Sequence, residues 1–431
     1  MKSLQDQINN TPMSRFQVLA VAVCLTINML DGYDVLVMSF AAPFVASDWG
    51  VSDTITGLLL SASPIGMALG SLFLAPLSDG FGRRRMTLWS LAAVTAGMLA
   101  SAAAADATQL IALRFFTGLG IGAMLASLTV VVSEYSSNRR RTLALSILQA
   151  GFPAGALVWG LVAMPIILEF GWRWAFVFGG VLSGLMIPVA MAALPESLDY
   201  LLASRPPEAL AKVNRLLARM GKQPVAELEA NAPQRRRRAR LGSLFEEGRA
   251  RNTLLIWACF FCTLLVFYFF MSWTPKLLID AGMSQEAGLS GGIILNAGAI
   301  IGGVALGLMA SKIPLNRLQS GYALLGGALM IAFGWLAGEL YAAMTLAFLV
   351  GLFGTGCIIG AYAAVPQLYP AEIRTTGTGV AIGVGRWGGV ASPTLAGLML
   401  DAQWTGAELY FIFSIPLFAA GLAAALLRFR L

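Results

Sequence analysis

The chain has 431 residues, 58% hydrophobic and only 12% charged, with a formal net charge of +7. A soluble domain carries about 25% charged residues, so a water-soluble globular protein is excluded, and a mean hydropathy of +0.75 points to a membrane. Histidine is absent, so any proton chemistry falls to carboxylates rather than to imidazole.

Apolar runs of membrane-spanning length recur along the whole chain. Twelve are predicted, near 16–46, 54–77, 87–105, 108–134, 142–168, 173–195, 252–281, 285–311, 319–337, 340–368, 376–400 and 405–427. Met1 to Ser14 is polar, so the first span is expected to act as its own targeting signal. With the N-terminus in the cytoplasm, every basic residue falls on the cytoplasmic side except Arg114, Arg173, Lys276 and Arg386. That asymmetry predicts cytoplasmic termini. The positive charge then reflects topology and attraction to the membrane surface rather than nucleic-acid binding. The four cysteines all lie in apolar spans. Cys259 and Cys262 form a lone C-x-x-C without a partner pair, which suits packing better than metal or redox chemistry.

Span 1 contains Asp31-Gly32-Tyr33-Asp34 inside about thirty residues otherwise free of charge. The i, i+3 spacing puts both carboxylates on one helix face, near mid-membrane. Each costs about 2.5–3.5 kcal/mol at that depth on insertion scales, which favours a functional reading. The competing reading is a pair of neutral carboxyls bonded to backbone, or a helix that ends near Asp31.

Span 2 ends in Asp79-Gly80-Phe81-Gly82-Arg83-Arg84-Arg85, an acidic tight turn able to cap or pair with a neighbour. Span 4 carries Arg114-Phe115-Phe116-Thr117-Gly118 and ends in Glu134-Tyr135, followed by Arg139 to Arg141. Residues 196–251 are the one long polar segment. Within it, Ser204 is expected to cap a helix whose first turn takes Pro206 and Pro207. Leu210, Val213, Leu217 and Met220 recur at 3–4 spacing, predicting an amphipathic helix on the inner leaflet. The run Arg235 to Arg238 with Arg240 reads as a positive-inside linker rather than an RNA patch. Span 7 is rich in aromatics, including Tyr268 and Trp273. In span 11, Gly383-Val384-Gly385-Arg386-Trp387-Gly388 satisfies G-x-G-x-x-G, but a membrane helix lacks the strand and soluble βαβ unit that a dinucleotide needs. Glycines there let helices approach closely.

The halves repeat. Tyr135 and Tyr369 stand 234 positions apart, and the same offset pairs Gly57 with Gly291, Arg83 with Arg317, Gly120 with Gly354 and Arg140 with Arg374. Parallel six-span repeats mark one large transporter architecture. The repeat also acts as a filter, because Asp31 pairs with Leu265, Asp34 with Tyr268, Arg114 with Phe348 and Arg386 with Phe152. All four intramembrane charges are therefore unshared, which is the strongest pointer to a site.

The Asp79 turn resembles the loop signature of the major facilitator superfamily, with Gly80 where that family usually has Arg and Ala75 where it usually has Gly. Its second copy, near Lys312 to Arg317, lacks the acidic residue. The Arg114 stretch resembles that family's fourth-helix motif, and Pro195-Glu196-Ser197 the sequence after its sixth helix. Within the superfamily the chain looks like the aromatic acid:proton symporter branch, on Asp31 to Asp34, Glu134-Tyr135, Gly171-Trp172-Arg173-Trp174 and Gly383 to Arg386.

The resemblance implies an all-α membrane protein of twelve transmembrane helices in two six-helix repeats. Residues 1–195 and 252–431 are expected to form the bundles and 196–251 the cytoplasmic linker. It implies a symporter importing an aromatic or related carboxylate by alternating access, with Asp31, Asp34 and Arg114 in proton coupling. Arg386, Tyr33, Tyr268 and Trp387 are expected to bind substrate, and Asp79, Arg83, Glu134 and Arg140 to gate. Arg386 suits a carboxylate because its planar fork binds it through two parallel hydrogen bonds. Two Asp and two Arg sum to zero, so an entering anion and one proton restore neutrality. A proton-antiport exporter of hydrophobic compounds and a non-transporting sensor are the alternatives, and Gly151-Phe152-Pro153-Ala154-Gly155 only partly matches an antiporter motif. No enzyme activity, metal, cofactor or nucleic-acid partner is expected, and a monomer in the inner membrane is.

Overall fold

The computed structural model describes residues 11–205, 208–228, 241–246, 248–310, 312–370 and 373–428. Twelve long helices cross the molecule among them: α1 Arg15–Trp49, α2 Asp53–Phe81, α3 Arg83–Ala102, α4 Ala107–Tyr135, α5 Asn138–Phe170 and α6 Trp172–Ala193. The second half supplies α7 Ala250–Asp280, α8 Gln285–Met309, α9 Leu315–Leu336, α10 Leu340–Leu368, α11 Arg374–Asp401 and α12 Gly406–Ala425. Ten of these are long and apolar enough to cross a membrane. The exceptions are α3 and α11, which both begin in arginine.

Local chemistry sets the ends. Ser14 and Gln17 make a reciprocal capping box at the start of α1, and Gly50 closes that helix in the left-handed region. Ser52 caps α2, and Thr405 with Glu408 boxes α12. Each half packs by the same scheme, α1 on α5 and α2 on α4 in the first, α7 on α11 and α8 on α10 in the second. Glycine allows these contacts. A methyl placed on Gly32 would come within 2.0 Å of the Phe152 carbonyl oxygen in α5, and one on Gly302 within 1.9 Å of the Leu352 carbonyl in α10. Close backbone approach of this kind is how membrane helices gain packing without a hydrophobic drive between them. The two-repeat, twelve-helix architecture read from the sequence is present.

The linker corrects two expectations. Ser204 ends a short helix, Leu198–Ser204, whereas the next helix, Ala209–Arg219, starts at Glu208 without a side-chain cap. The amphipathic face of that second helix is covered by protein and not by lipid. Val213, Leu217 and Met220 are buried with Val23 and Leu194 of the first half and Leu201 of the short linker helix. An apolar stripe on a helix is satisfied equally by a bilayer or by a neighbouring bundle, and here Arg219 also stacks over Phe16 at 4.7 Å. Pro206, Pro207, Arg235 to Arg238 and Arg240 lie outside the described residues.

Candidate functional site

The four unshared charges divide into two groups. On the first half, Asp34 and Arg114 form a buried ion pair, at 2% and 0% side-chain exposure. The Arg114 guanidinium donates to an Asp34 carboxylate oxygen, to the Asp34 carbonyl at 3.3 Å and to the Met98 sulfur at 3.2 Å. It also lies 5.5 Å from the Phe176 ring centroid. Ser63 Oγ approaches the same carboxylate at 3.5 Å. Asp34 Oδ1 and Arg114 Nε are buried without a hydrogen-bond partner.

Asp31 is different. It is also buried, its Oδ2 has no partner, and the charge that acts on it is Asp34 rather than an arginine. One helix turn thus separates a carboxylate tied to a permanent cation from one with no ion pair among the described residues.

On the second half, Arg386 is half-buried and points from α11 to α2, where it donates to Ser71 Oγ and reaches the Met67 carbonyl at 3.5 Å. Tyr268 packs its ring against Gly389, and both Tyr268 and Tyr362 lie within electrostatic range of Arg386. Gly385 and Gly388 seat α11 on Phe260 and Phe261 of α7, so those glycines serve helix contact rather than ligand space.

Two of the aromatic expectations are placed away from this group. Tyr33 is 1% exposed, donates its hydroxyl to the Ala175 carbonyl at 2.8 Å and meets Phe178 edge-on, which commits it to α6. Trp387 is 61% exposed, on the same outward stripe of α11 as Leu395 and Leu398. Neither side chain reaches the Arg386 group in this conformation. Sequence reasoning missed Tyr362 and Ser71, both uncharged residues inside apolar spans. Tyr362 does stand opposite Leu128 in the repeat, a signal that would have found it.

At the end of the molecule where α1 begins and α12 ends, Asp79 pairs with Arg83 one turn on, at 2.8 Å. Glu134 accepts from Ser197 Oγ at 2.8 Å and from the Leu198 amide at 2.7 Å, so it caps the first linker helix. Tyr135 donates to the Glu196 carbonyl, and Glu196 accepts from the Arg84 amide. Arg140 is exposed in the first turn of α5. Apart from Arg140, these groups bind one another within the first half and the start of the linker.

The halves join toward the opposite end. Lys276 bridges Asp280 at 2.6 Å and, across the halves, Asp53 at 2.9 Å. Asp401 accepts from the Asp53 and Thr54 amides, both at 2.9 Å, capping α2 from α11. Ser39 donates to the Met271 and Ser272 carbonyls, and Thr394 to Ser61. Of these cross-half contacts, Arg386 to Ser71 lies deepest, about 22 Å along α11 from that end by helix rise. A cavity of about 460 Å³ also opens at that end, lined by Phe44, Asp48, Lys276 and Gln285. The chemistry does not favour it as the main site, because Lys276 is already neutralised by two carboxylates.

A model of the Major Facilitator Superfamily matches residues 23–340. The gallate transporter of Pseudomonas putida is 31% identical, over 97% of this chain and 94% of its own length. A 4-hydroxybenzoate transporter from the same organism is also 31% identical, over 96% and 93%. The 3-(3-hydroxy-phenyl)propionate transporter of Escherichia coli is 32% identical, over 96% and 94%. Among solved structures, the xylose transporter XylE from E. coli, in a partially occluded inward-open conformation, superposes with a TM-score of 0.74. That alignment covers 94% of this chain and 98% of XylE at 16% identity, a likeness of fold.

Proposed function

The chain belongs to the Major Facilitator Superfamily, and from that premise we propose that it is a proton-coupled symporter importing an aromatic carboxylate. The observation that carries the reading is the division of charge between the halves. A carboxylate pair with one cationic partner sits in the first half, and a guanidinium with free donors sits within electrostatic range of two tyrosines in the second. Among the described residues, Nε and Nη2 of Arg386 have no hydrogen-bond acceptor and Nη1 is held only by neutral oxygens, so a carboxylate taking the Nη1–Nη2 fork has only those to displace. Tyr268 and Tyr362 offer rings and hydroxyls for an aromatic acid. The names of the relatives support that substrate class.

Charge balance supplies the coupling. Asp31, Asp34, Arg114 and Arg386 cancel, an entering carboxylate makes the set −1, and a proton restores neutrality. A neutral set costs less to carry through the low-dielectric middle of a membrane than a charged one. Asp34 is held by Arg114, which leaves Asp31 as the proton acceptor. In this reading residues 1–195 and 252–431 rock as two units joined by 196–251, in an inner membrane with both termini cytoplasmic. The contacts at the far end then close the outer face, and the conformation is inward-facing. The protein works as a monomer with the proton as its coupling ion, no other cofactor and no nucleic-acid partner. Asp79, Arg83, Glu134 and Arg140 act at the inner face when the halves close on them.

Calorimetric titration with benzoate tests the carboxylate site. Arg386→Lys keeps the charge but loses the fork, and is expected to weaken binding by about 1–3 kcal/mol, the scale of a charged hydrogen bond. Arg386→Ala is expected to weaken it further. Folded, monodisperse Lys and Ala variants that bind benzoate as tightly as wild type would end the assignment.

A further inference from the structure

α2 is not a regular helix where Arg386 meets it. Residues Gly70–Leu74 form a π turn, directly after the Met67 and Ala68 carbonyls. Such single-turn bulges disturb the i→i+4 ladder and concentrate at functional positions. The proton of the Ser71 hydroxyl is spent on the Ala68 carbonyl, at 2.9 Å. Its oxygen is therefore an acceptor toward Arg386, beside the Met67 carbonyl. The bulge thus offers two neutral oxygens to a guanidinium from the other half.

The same stretch is locked to α4. A methyl on Gly122 would come within 2.1 Å of the Met67 carbonyl oxygen, and one on Gly70 within 2.2 Å of the Leu119 carbonyl. The acceptors for Arg386 consequently ride on a rigid pair of helices, one of which, α4, carries Arg114, the partner of Asp34 on α1.

Resting on the reading of Arg386 as the carboxylate site, we infer that Ser71 and the Met67 carbonyl are a built-in competitor that the substrate carboxylate displaces. An ionised carboxylate makes stronger, shorter hydrogen bonds to a guanidinium than a hydroxyl or an amide oxygen does. When the anion takes the fork, Arg386 lets go of α2, and the deepest of the cross-half contacts described above is released. Ser71 is a positioning residue in this exchange: it never touches substrate, and it couples occupancy of the second half to freedom of the first.

The test is Ser71→Ala in the full chain, with Ser71→Thr as the conservative control, each titrated with benzoate and assayed for benzoate transport. Removing the competing acceptor is expected to tighten benzoate binding about 5-fold, the equivalent of one net hydrogen bond. KM falls with it while kcat also falls, because release of α2 no longer depends on substrate. Ser71→Thr is expected to match wild type. If Ser71→Ala binds benzoate equally or more weakly while Arg386→Ala still loses binding, the competitor role is wrong and the carboxylate site stands. If Arg386→Ala binds as wild type does, the carboxylate site fails and the inference falls with it.

Discussion

Asp31 and Asp34 are three residues apart, but the structure makes opposite demands of them, and substitution by Asn separates the two. Asp34→Asn leaves Arg114 at 0% exposure without a counter-charge, with only neutral groups around it: the new amide oxygen, the backbone carbonyl of residue 34, the Met98 sulfur and the Phe176 ring. Removing one partner of a buried pair costs about 3–5 kcal/mol, because the remaining charge is stranded. At about 2 °C per kcal/mol for a large chain, Tm in detergent is expected to fall by roughly 6–10 °C. Asp31→Asn breaks no ion pair and removes a buried carboxylate oxygen that has no partner. Its Tm is expected to stay at or above that of wild type. Thermal unfolding of purified single variants, followed by tryptophan fluorescence at one detergent and salt concentration, measures both. An Asp34→Asn protein as stable as wild type, or an Asp31→Asn protein less stable than Asp34→Asn, would refute the division of roles.

Asp79→Asn is expected to cost under about 1 kcal/mol of stability, since its own carboxylate is more than half exposed in the pair with Arg83, and to lower turnover while benzoate affinity holds; transport and titration on one preparation check this. Lys276→Gln removes the cross-half bond to Asp53 and is expected to raise maleimide labelling of a cysteine placed at Asp48, whereas unchanged labelling would mean the bond does not hold that face shut. Gly118→Ala drives a methyl to 2.2 Å from the Ser63 carbonyl and is expected to cost about 1–3 kcal/mol by overpacking. Gly307→Ala, with nothing within 4 Å, should leave Tm unchanged in the same unfolding assay.

The charges were legible in the sequence because a carboxylate or guanidinium inside an apolar span has no cheap structural excuse. Comparing the two repeats sharpened that signal by removing Arg83 and Arg140, which have partners in the second copy. Twelve spans were legible for the same reason of contrast, since apolar runs of spanning length stand between short polar turns. What the sequence could not display was direction. Tyr33 and Tyr268 look alike as letters in apolar helices, but one hydroxyl is taken by the Ala175 carbonyl while the other ring packs on Gly389, three residues from Arg386 in α11. Ser71 gave no warning either, since its role depends on a π turn, which is a backbone register rather than a residue type. The Ala209–Arg219 helix failed for a third reason: its stripe specified an apolar surface without saying whether lipid or protein provides it.

Proton-driven uptake is the central claim, and reconstitution tests it most directly. Wild-type protein in sealed proteoliposomes, given an inward proton gradient, is expected to accumulate labelled benzoate above its external concentration. A proton ionophore should abolish that accumulation, and Asp31→Asn should exchange benzoate without concentrating it. Accumulation that survives the ionophore and follows a sodium gradient instead would contradict proton coupling at Asp31.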